Sequence, residues 1–266
     1  MRLKDRVAIV VGAGQSPGEG IGNGRATALT FAREGAKVLC VDHNLASAQE
    51  TVDMIAAKEG TAAAFKADVT KNADLKAMVG DAIAHWGRID ILHNNVGVSL
   101  AGGDAELDKI TEEAFDRCVA INLKSCVLAA KHVIPIMRAQ KSGAIINISS
   151  MAAITTYPYV AYKATKSAMI AFTEQLAYQN AQYGIRANVI LPGLMNTPMA
   201  IESRVGLDGK SRDEVIAERD ARVPLGRKMG TAWDIAHAAV WLASDDANFI
   251  TGVTLPVDGG ASVRRG

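Results

Sequence analysis

The sequence has few of the features that define secreted, membrane-bound or nucleic-acid-binding proteins. Its three cysteines, Cys40, Cys118 and Cys126, have no metal-ligand or disulfide spacing, so we expect reduced thiols, no metal and a cytoplasmic location. The 29 basic and 28 acidic residues nearly cancel, which argues against a nucleic-acid partner. No uninterrupted apolar run approaches the roughly 18 residues of a membrane span, so we expect no membrane partner either.

Short β-branched runs alternate with longer segments of helical periodicity along the whole chain. The runs predict seven strands, at residues 7–11, 37–41, 62–67, 89–93, 143–148, 186–191 and 253–257. The periodic segments predict helices near residues 24–34, 45–58, 72–85, 111–139, 160–183 and 232–243. Strands that are apolar at consecutive positions are typical of parallel sheets covered on both faces. The 266 residues therefore predict a single α/β domain, doubly wound and Rossmann-like, with a seven-stranded parallel sheet.

Residues 198–230 form the one long segment that we predict to be irregular. The segment is rich in charges of both signs and contains three glycines before its last residue, at positions 206, 209 and 226. Because it lies between the sixth strand and the last helix, we interpret it as a mobile substrate flap over the active site. A solvated surface excursion is the alternative interpretation.

The first strand leads into a glycine-rich turn, after which an amphipathic helix opens at Arg25. A strand, a glycine turn and a helix in this order can bind a pyrophosphate. The glycines let the backbone approach the phosphates closely, and the helix N-terminus supplies free amides. We therefore expect the dinucleotide to contact Gly12, Gln15, Asn23 and Gly24. A glycine-rich surface loop without a ligand is the alternative.

Asp42 closes the second strand, about 20 residues beyond the glycine turn. A carboxylate there can accept hydrogen bonds from both adenosine-ribose hydroxyls and would repel a 2′-phosphate, which favours NAD over NADP. Asp42 could instead cap the turn before Asn44. Arg25 and His43 leave NADP open, since cations near the 2′ position can accommodate a phosphate.

Further motifs follow the glycine turn in a fixed order along the chain. They are Asp68-Val69, Asn94-Asn95-Val96-Gly97, Asn122, Ser149-Ser150, Tyr162-Lys163-Ala164-Thr165-Lys166, Pro192-Gly193 and Thr197. With these motifs the sequence resembles the classical short-chain dehydrogenase/reductase family over essentially its whole length. The resemblance implies an oxidoreductase that uses a nicotinamide cofactor, and a homo-oligomer, specifically a homotetramer.

The resemblance also implies roles for individual cofactor-binding residues. Asp68 and Val69 would contact the adenine, and Asn95 and Gly97 would support the ribose side of the pocket. Pro192 and Thr197 would lie beside the nicotinamide and its carboxamide. The glycine turn departs from the family pattern because it is about six residues longer. The sequence therefore leaves open which of its residues contact the phosphates.

Four side chains form the predicted catalytic group. Tyr162 is our candidate base, since a neighbouring ammonium favours the phenolate form and Lys166 lies one helical turn further on. Both residues would also contact the cofactor. Ser150 can donate a hydrogen bond to the substrate oxygen, and Asn122 resembles the residue that positions a water and extends a proton path from the lysine. Ser150 stands 12 positions before the tyrosine where 13 is usual, so Ser149 remains an alternative.

These residues together predict an NAD(H)-dependent oxidoreductase that interconverts a small secondary alcohol and a ketone. A 3-oxoacyl carrier-protein reductase that uses NADPH is one alternative, against which Asp42 and the balanced charges of residues 198–230 argue. A non-catalytic nucleotide-binding protein is the other, but such proteins can lose the tyrosine or lysine, and this chain keeps both.

Overall fold

A computed structural model describes residues 1–264 and contains one seven-stranded sheet in which every neighbouring pair of strands is parallel. Its strands are β1 (Val7–Val11), β2 (Lys37–Asp42), β3 (Thr61–Lys66), β4 (Ile91–Asn94), β5 (Gly143–Ile148), β6 (Ile185–Pro192) and β9 (Thr254–Val257). Two short strands, β7 (Met195–Asn196) and β8 (Gly230–Thr231), pair separately. The predicted sheet and all seven of its strands are confirmed.

The strand order, β3-β2-β1-β4-β5-β6-β9, reverses direction between β1 and β4. In an open parallel sheet, ligands bind beyond the carboxyl ends of the strands at such a reversal. Strands β1 and β5 are buried along their full length, which explains why their residues are apolar on both faces. The fold therefore creates one crevice, and the sequence motifs follow the strand ends that border it.

Helices cover both faces of this sheet. They are α1 (Asn23–Arg33), α2 (Leu45–Ala56), α3 (Asn72–Trp86), α4 (Glu112–Val119), α5 (Ser125–Gln140), α6 (Val160–Asn180), α7 (Pro198–Glu202), α8 (Arg212–Ala221) and α9 (Ala232–Ala243). Asn44 caps α2 by accepting a hydrogen bond from the amide of Ser47, and Gly87 ends α3 in a left-handed conformation. All three cysteines are free and buried, as we expected from their apolar surroundings.

Helices α4 and α5 are joined without a break by a π-helical turn, Ala120–Lys124. The continuous run Glu112–Gln140 is, within residues 1–264, the one helix long and apolar enough by composition to cross a membrane. Core helices of soluble proteins meet the same criterion, and this run packs against α3 and α6. It therefore carries no argument for a membrane span.

Residues 198–230, predicted to be irregular, contain the two helices α7 and α8. Helix α7 starts with Pro198, and α8 starts with a capping box between Ser211 and Glu214. The segment has a small apolar core of its own, formed by Ile201, Val215, Val223 and Met229. The prediction of irregular structure was wrong because these helices are short and α8 is mostly charged, so neither shows a long apolar period.

Candidate active site

The glycine loop, residues 12–24, forms a close-packed cradle at the carboxyl end of β1. A Cβ atom on Gly24 would lie 1.8 Å from the carbonyl oxygen of Gly12, so only glycine fits there. Asn95 donates to the same oxygen at 3.2 Å, which fixes the turn against the end of β4. The side chain of Gln15 bridges the loop, donating to the carbonyl of Gly20 at 3.2 Å and accepting from the amide of Gly22 at 3.0 Å.

The N-terminus of α1 opens at this cradle with its amides uncapped by a side chain. Asn23 is its first residue, and the buried Oδ1 atom of Asn23 has no hydrogen-bond partner among the described residues. Free amides, a positive helix end and a surface without Cβ atoms suit a pyrophosphate. The cradle therefore fits a dinucleotide, and Gly12, Gln15, Asn23 and Gly24 all border it.

Asp42 lies at the end of β2, where its carboxylate accepts from the amides of Gly14 at 3.0 Å and Asn44 at 3.0 Å. Asp42 therefore does cap the turn before Asn44. It still lies beside the cradle, with its side chain 12% exposed. The cation at Arg25 is committed elsewhere: it is buried and pairs with Glu50 at 2.8 Å. His43 is exposed, and its Nδ1 atom lies 3.0 Å from Asp42.

The residues that follow β3 border the crevice next to the end of β2. The hydroxyl and amide of Thr70 donate to Asp68 and hold the pKa of its carboxyl below the usual value. Val69 packs against the core on the same side. Both residues therefore lie on the rim of the crevice, close to the end of β2.

The other side of the crevice is bordered by the ends of β4 and β6. A Cβ on Gly97 would lie 3.0 Å from Nζ of Lys166, so the loop after β4 packs closely against this ammonium. Pro192 ends β6 and is buried. Thr197 precedes α7, is 5% exposed and makes no side-chain cap to the helix, which leaves its hydroxyl free for a ligand.

Two consecutive serines after β5 have different environments. Ser149 is buried, and its hydroxyl donates to the carbonyl of Lys166 at 2.7 Å. This hydrogen bond directs the hydroxyl toward α6. Ser150 accepts from the amide of Ala152 at 3.1 Å and interacts with the phenol of Tyr162. The geometry thus favours Ser150 over Ser149 as the serine that can reach a substrate.

Tyr162 and Lys166 lie one turn apart on α6, with the ammonium 5.7 Å from the centre of the phenol ring. Nζ of Lys166 donates to the carbonyl of Ile148 at 2.7 Å, which holds the lysine at the end of β5. Burial lowers the pKa of Lys166 to about 8 and raises the pKa of Tyr162 to about 12. The hydrogen bond from Ser150 is the largest effect that lowers the Tyr162 pKa, but burial outweighs it.

This result differs from our expectation that Lys166 makes Tyr162 acidic. Desolvation is the dominant cause of the raised pKa of the phenol. The ammonium is directed to a backbone carbonyl, not to the phenol oxygen. A positive charge bound in the crevice would lower the pKa of the phenol and favour the phenolate.

Asn122 is fully buried in the π-helical turn, where its amide clamps the loop after β4. Its Oδ1 atom accepts from the amide of Val98 at 2.7 Å, and its Nδ2 atom donates to the carbonyl of the same residue at 2.9 Å. A third contact joins Nδ2 to the hydroxyl of Thr165 at 3.1 Å. Asn122 therefore ties the β4 loop to α6 between Tyr162 and Lys166.

The sequence analysis missed Asp104, which holds the N-terminus of α6. Its buried carboxylate accepts from the amides of Ala161 and Tyr162, both at 2.9 Å. The hydroxyl of Ser99 adds a bond at 3.2 Å and lies 3.2 Å from the hydroxyl of Tyr157. Asp104 lies 57 residues before Ala161, so no local sequence motif identifies it as the cap of α6.

An ion-pair network joins the glycine loop to the segment after β7. Arg212 lies 3.2 Å from Glu19 in the loop and 3.2 Å from Glu202 at the end of α7. A Cβ on Gly18 would lie 2.5 Å from Cγ of Glu202, which shows how closely the two segments approach. The six extra residues of the loop therefore touch the predicted flap.

Comparison with known proteins places the chain in a family. Residues 17–262 match a family model described as "Enoyl-(Acyl carrier protein) reductase". The protein belongs to the classical short-chain dehydrogenase/reductase family. It is thus an oxidoreductase with a Rossmann-like fold, from a family that binds a nicotinamide cofactor.

Individual relatives match over nearly the full chain. A putative short-chain dehydrogenase/reductase from Burkholderia xenovorans is 39% identical, with a TM-score of 0.92 over 100% of this chain and 99% of its own. The 2,5-dichloro-2,5-cyclohexadiene-1,4-diol dehydrogenase LinX of Sphingobium indicum is 36% identical over 98% of both chains. A 7α-hydroxysteroid dehydrogenase, solved with NADH and 7-oxo glycochenodeoxycholic acid, is 32% identical with a TM-score of 0.86, covering 97% of this chain and 95% of its own.

Proposed function

We propose that the protein is an NAD(H)-dependent oxidoreductase that interconverts a small-molecule secondary alcohol and a ketone, with Tyr162 as general acid and base. The observation that carries this proposal is the arrangement of Ser150, Tyr162 and Lys166 at the end of β5, across the crevice from the glycine cradle. The relatives named for a diol dehydrogenase and a hydroxysteroid dehydrogenase support alcohol and ketone chemistry.

In the direction of oxidation, the phenolate of Tyr162 takes the proton from the substrate hydroxyl. Ser150 donates a hydrogen bond to the substrate oxygen and stabilises charge that develops there. The glycine cradle, with Pro192 and Thr197, would hold a nicotinamide cofactor, which would supply the hydride-transfer chemistry. The positive charge of the oxidised nicotinamide would favour the phenolate of Tyr162 against the effect of burial.

Lys166 and Asn122 act behind the phenol. Lys166, with its pKa near 8, can release and regain a proton close to neutral pH more easily than an exposed lysine. Asn122 fixes the β4 loop and the α6 backbone on either side of this ammonium. We propose that the two residues continue the proton path from Tyr162 toward solvent.

The preference for NAD rests on Asp42. Its carboxylate at the end of β2 would repel a 2′-phosphate, while the nearest buried cation, Arg25, is already paired with Glu50. The NADH in the 7α-hydroxysteroid dehydrogenase structure is consistent with this preference. We also propose a cytoplasmic location and a homotetramer, the latter supported by the partly exposed sheet-edge strand β9 and the fully exposed side chain of Phe249 nearby in sequence.

The proposal is tested by following reduction of NAD and NADP with a panel of secondary alcohols and diols. Tyr162→Phe should reduce kcat by about 10²–10⁴-fold, the usual contribution of a general base. Tyr178→Phe is the matched control, because it removes the same hydroxyl from an exposed position and should leave kcat unchanged. Equal activity of Tyr162→Phe and wild type would remove Tyr162 as the base, and a strong NADP preference would contradict the role of Asp42.

A 3-oxoacyl carrier-protein reductase that uses NADPH is the second candidate, and a 33% identical relative from Thermotoga maritima with the name 3-oxoacyl-[acyl-carrier-protein] reductase favours it. It predicts reduction of acetoacetyl thioesters with NADPH at a higher kcat/KM than any simple ketone with NADH. The same spectrophotometric assay separates the two candidates. A protein that binds dinucleotide but turns over no substrate of either panel would instead be a non-catalytic nucleotide-binding protein.

A further inference from the structure

Three tyrosines lie at the start of α6, although the proposed mechanism uses only one of them. The ring centres of Tyr157 and Tyr162 are 5.5 Å apart, with the ring planes tilted by 42°. The ring of Tyr159 packs edge-on against Tyr157, also at 5.5 Å. Aromatic rings at this separation attract each other in specific orientations. The half-buried ring of Tyr157 can therefore affect the position of the catalytic ring.

The hydroxyl of Tyr157 lies 3.2 Å from the hydroxyl of Ser99, in the loop that follows β4. Ser99 donates its single hydroxyl proton to Oδ2 of Asp104, also at 3.2 Å, because an ionised carboxylate can only accept. The oxygen of Ser99 is therefore left as an acceptor, and Tyr157 is the donor in the bond between the two hydroxyls. Burial raises the pKa of Tyr157, so its phenol keeps the proton that it donates.

The carboxylate of Asp104 connects this chain of hydrogen bonds to the catalytic residue. Its Oδ2 atom, which accepts from Ser99, also accepts from the backbone amide of Tyr162 at 2.9 Å. The same carboxylate therefore binds the backbone of Tyr162 and, through Ser99, fixes the ring that packs against the phenol. Tyr162, Tyr157, Ser99 and Asp104 form a closed network, which we call the Tyr157 network.

The Tyr157 network gives the two neighbouring phenols different roles. The hydroxyl of Tyr157 is occupied as a donor to Ser99. The phenol of Tyr162 instead interacts with Ser150, the serine that we propose to bind the substrate oxygen. A negative charge on Tyr157 would oppose the phenolate of Tyr162, because like charges this close repel. The proton kept on the first phenol therefore favours ionisation of the second.

We propose that Tyr157 is a positioning residue for the proton transfer at Tyr162. Its ring sets the orientation of the catalytic phenol, and its hydroxyl, bound through Ser99 to the cap of α6, holds that ring in place. This inference rests on the proposed function, since it concerns the same proton transfer. It adds to the catalytic group a residue that contacts the reacting phenol without exchanging a proton with the substrate.

The first test removes each side of the bond between the two hydroxyls. Tyr157→Phe keeps the ring, and Ser99→Ala keeps the backbone of the loop. Each should lower kcat by about 10-fold and change KM by less than about threefold, since a small displacement of a catalytic group slows the reaction. The double variant should be no slower than Ser99→Ala alone, because both changes break the same network. Losses that multiply, or an unchanged kcat in Tyr157→Phe, would overturn the inference.

Tyr159→Phe is the matched control, because it removes a hydroxyl from the neighbouring tyrosine and keeps the ring. It should leave kcat unchanged. Thermal unfolding shows whether each variant is folded, and if Ser99→Ala does not fold, the kcat of Tyr157→Phe decides the test. The pH dependence of kcat separates positioning from proton transfer: Tyr157→Phe should keep the ionisation step of wild type at a lower rate. Loss of that step would identify Tyr157 as the base and overturn the positioning role.

Fluorine NMR separates this inference from the proposed function, because it requires no turnover. The chain has five tyrosines, so labelling with 3-fluorotyrosine gives five signals, which are assigned by replacing each tyrosine with phenylalanine in turn. With NADH present, Ser99→Ala should shift or broaden the signal of Tyr162, and Tyr159→Phe should leave it in place.

A Tyr162 signal that responds to Ser99→Ala, in a protein that turns over no alcohol or ketone, would support the Tyr157 network and contradict the proposed function. Turnover that is lost in Tyr162→Phe but unchanged in Ser99→Ala, with an unchanged Tyr162 signal, would overturn the network alone.

Discussion

The two sides of the crevice are built in different ways. On the catalytic side, formed by the end of β5, the π-helical turn and the start of α6, buried side chains bind backbone atoms of distant segments, as Lys166 binds Ile148 and Asp104 binds Tyr162. On the flap side, formed by the glycine loop and residues 198–230, the two segments meet through Arg212 and the exposed Glu19. Buried bonds fix positions, whereas exposed ion pairs are weak and screened by salt.

This difference indicates which parts of the protein can move. The catalytic side chains stay at fixed positions because the hydrogen bonds that hold them are buried, so their partners cannot be replaced by water. The glycine loop and the flap can separate at a cost of less than about 1 kcal/mol for each exposed ion pair. We infer that dinucleotide and substrate enter and leave through the flap side while the catalytic side stays unchanged.

The largest expected effect comes from Gly24→Ala, which inserts a methyl group where the two sides meet. Its Cβ would lie 1.8 Å from the carbonyl of Gly12, so the cradle must deform, and overpacking of this kind costs about 3 kcal/mol. Dinucleotide affinity, measured by NADH fluorescence titration, should fall at least 100-fold. Gly22→Ala is the control: its Cβ would meet only Gln15 at 3.9 Å, so affinity should change little. Equal losses in both variants would contradict the role of Gly24.

His93→Leu tests the buried core between β4 and α1, where the imidazole ring packs against Phe31. Both ring nitrogens of His93 lack partners among the described residues, and burial lowers its pKa from 6.5 to about 3. The unfolded chain therefore binds a proton first as the pH falls below about 6.5, and the free energy of unfolding decreases between there and pH 3. From pH 7 to pH 5 this group should remove about 2 kcal/mol.

Urea unfolding of wild type and His93→Leu at pH 7 and pH 5 measures this effect. The variant should lose about 2 kcal/mol less than wild type over that range. His237→Gln removes an exposed histidine and should follow wild type. A parallel pH dependence of wild type and His93→Leu would show that this buried ring does not control the loss.

Removing a helix cap on each side should separate stability from catalysis. Asp104→Ala on α6 and Ser211→Ala on α8 should each lower the free energy of unfolding by about 1–2 kcal/mol. Only Asp104→Ala should also lower kcat, by about 10- to 100-fold, because the cap positions Tyr162. Asp104→Asn keeps one acceptor oxygen and should recover part of the rate. If Ser211→Ala slows turnover equally, the division between the two sides is wrong.

The smallest expected effect is that of Arg212→Gln, which removes the bridge between the glycine loop and the flap. Stability should change by less than about 1 kcal/mol because Glu19 is exposed. The dissociation rate of NADH, measured by stopped-flow fluorescence, should rise severalfold, and high salt should raise the wild-type rate toward that of the variant. Lys210→Gln breaks a pair with Glu218 that does not reach the loop and should leave the rate unchanged.

The catalytic side was also the easier side to predict from sequence. Buried parallel strands can be recognised as apolar runs, and the functional residues follow their ends, so Ser150 was found with β5. Helix α8 was missed, although Ser211 and Glu214 have the spacing of a capping box that could have identified it. Asp104 could not be found, because its role depends on contacts between segments far apart in sequence.

The π-helical turn at Ala120–Lys124 has a consequence for how this family member can tolerate change. A π turn contains one residue more than an α-helical turn, and each residue advances an α-helix by about 100°. Deleting one residue there would rotate the α4 side relative to α5 by that angle, so Asn122 and the buried positions Ala129 and Val133 could no longer both face inward. The extra residue lets Asn122 and the buried apolar side of α5 both face inward. We therefore expect the number of residues in this turn to be conserved more strictly than their identity.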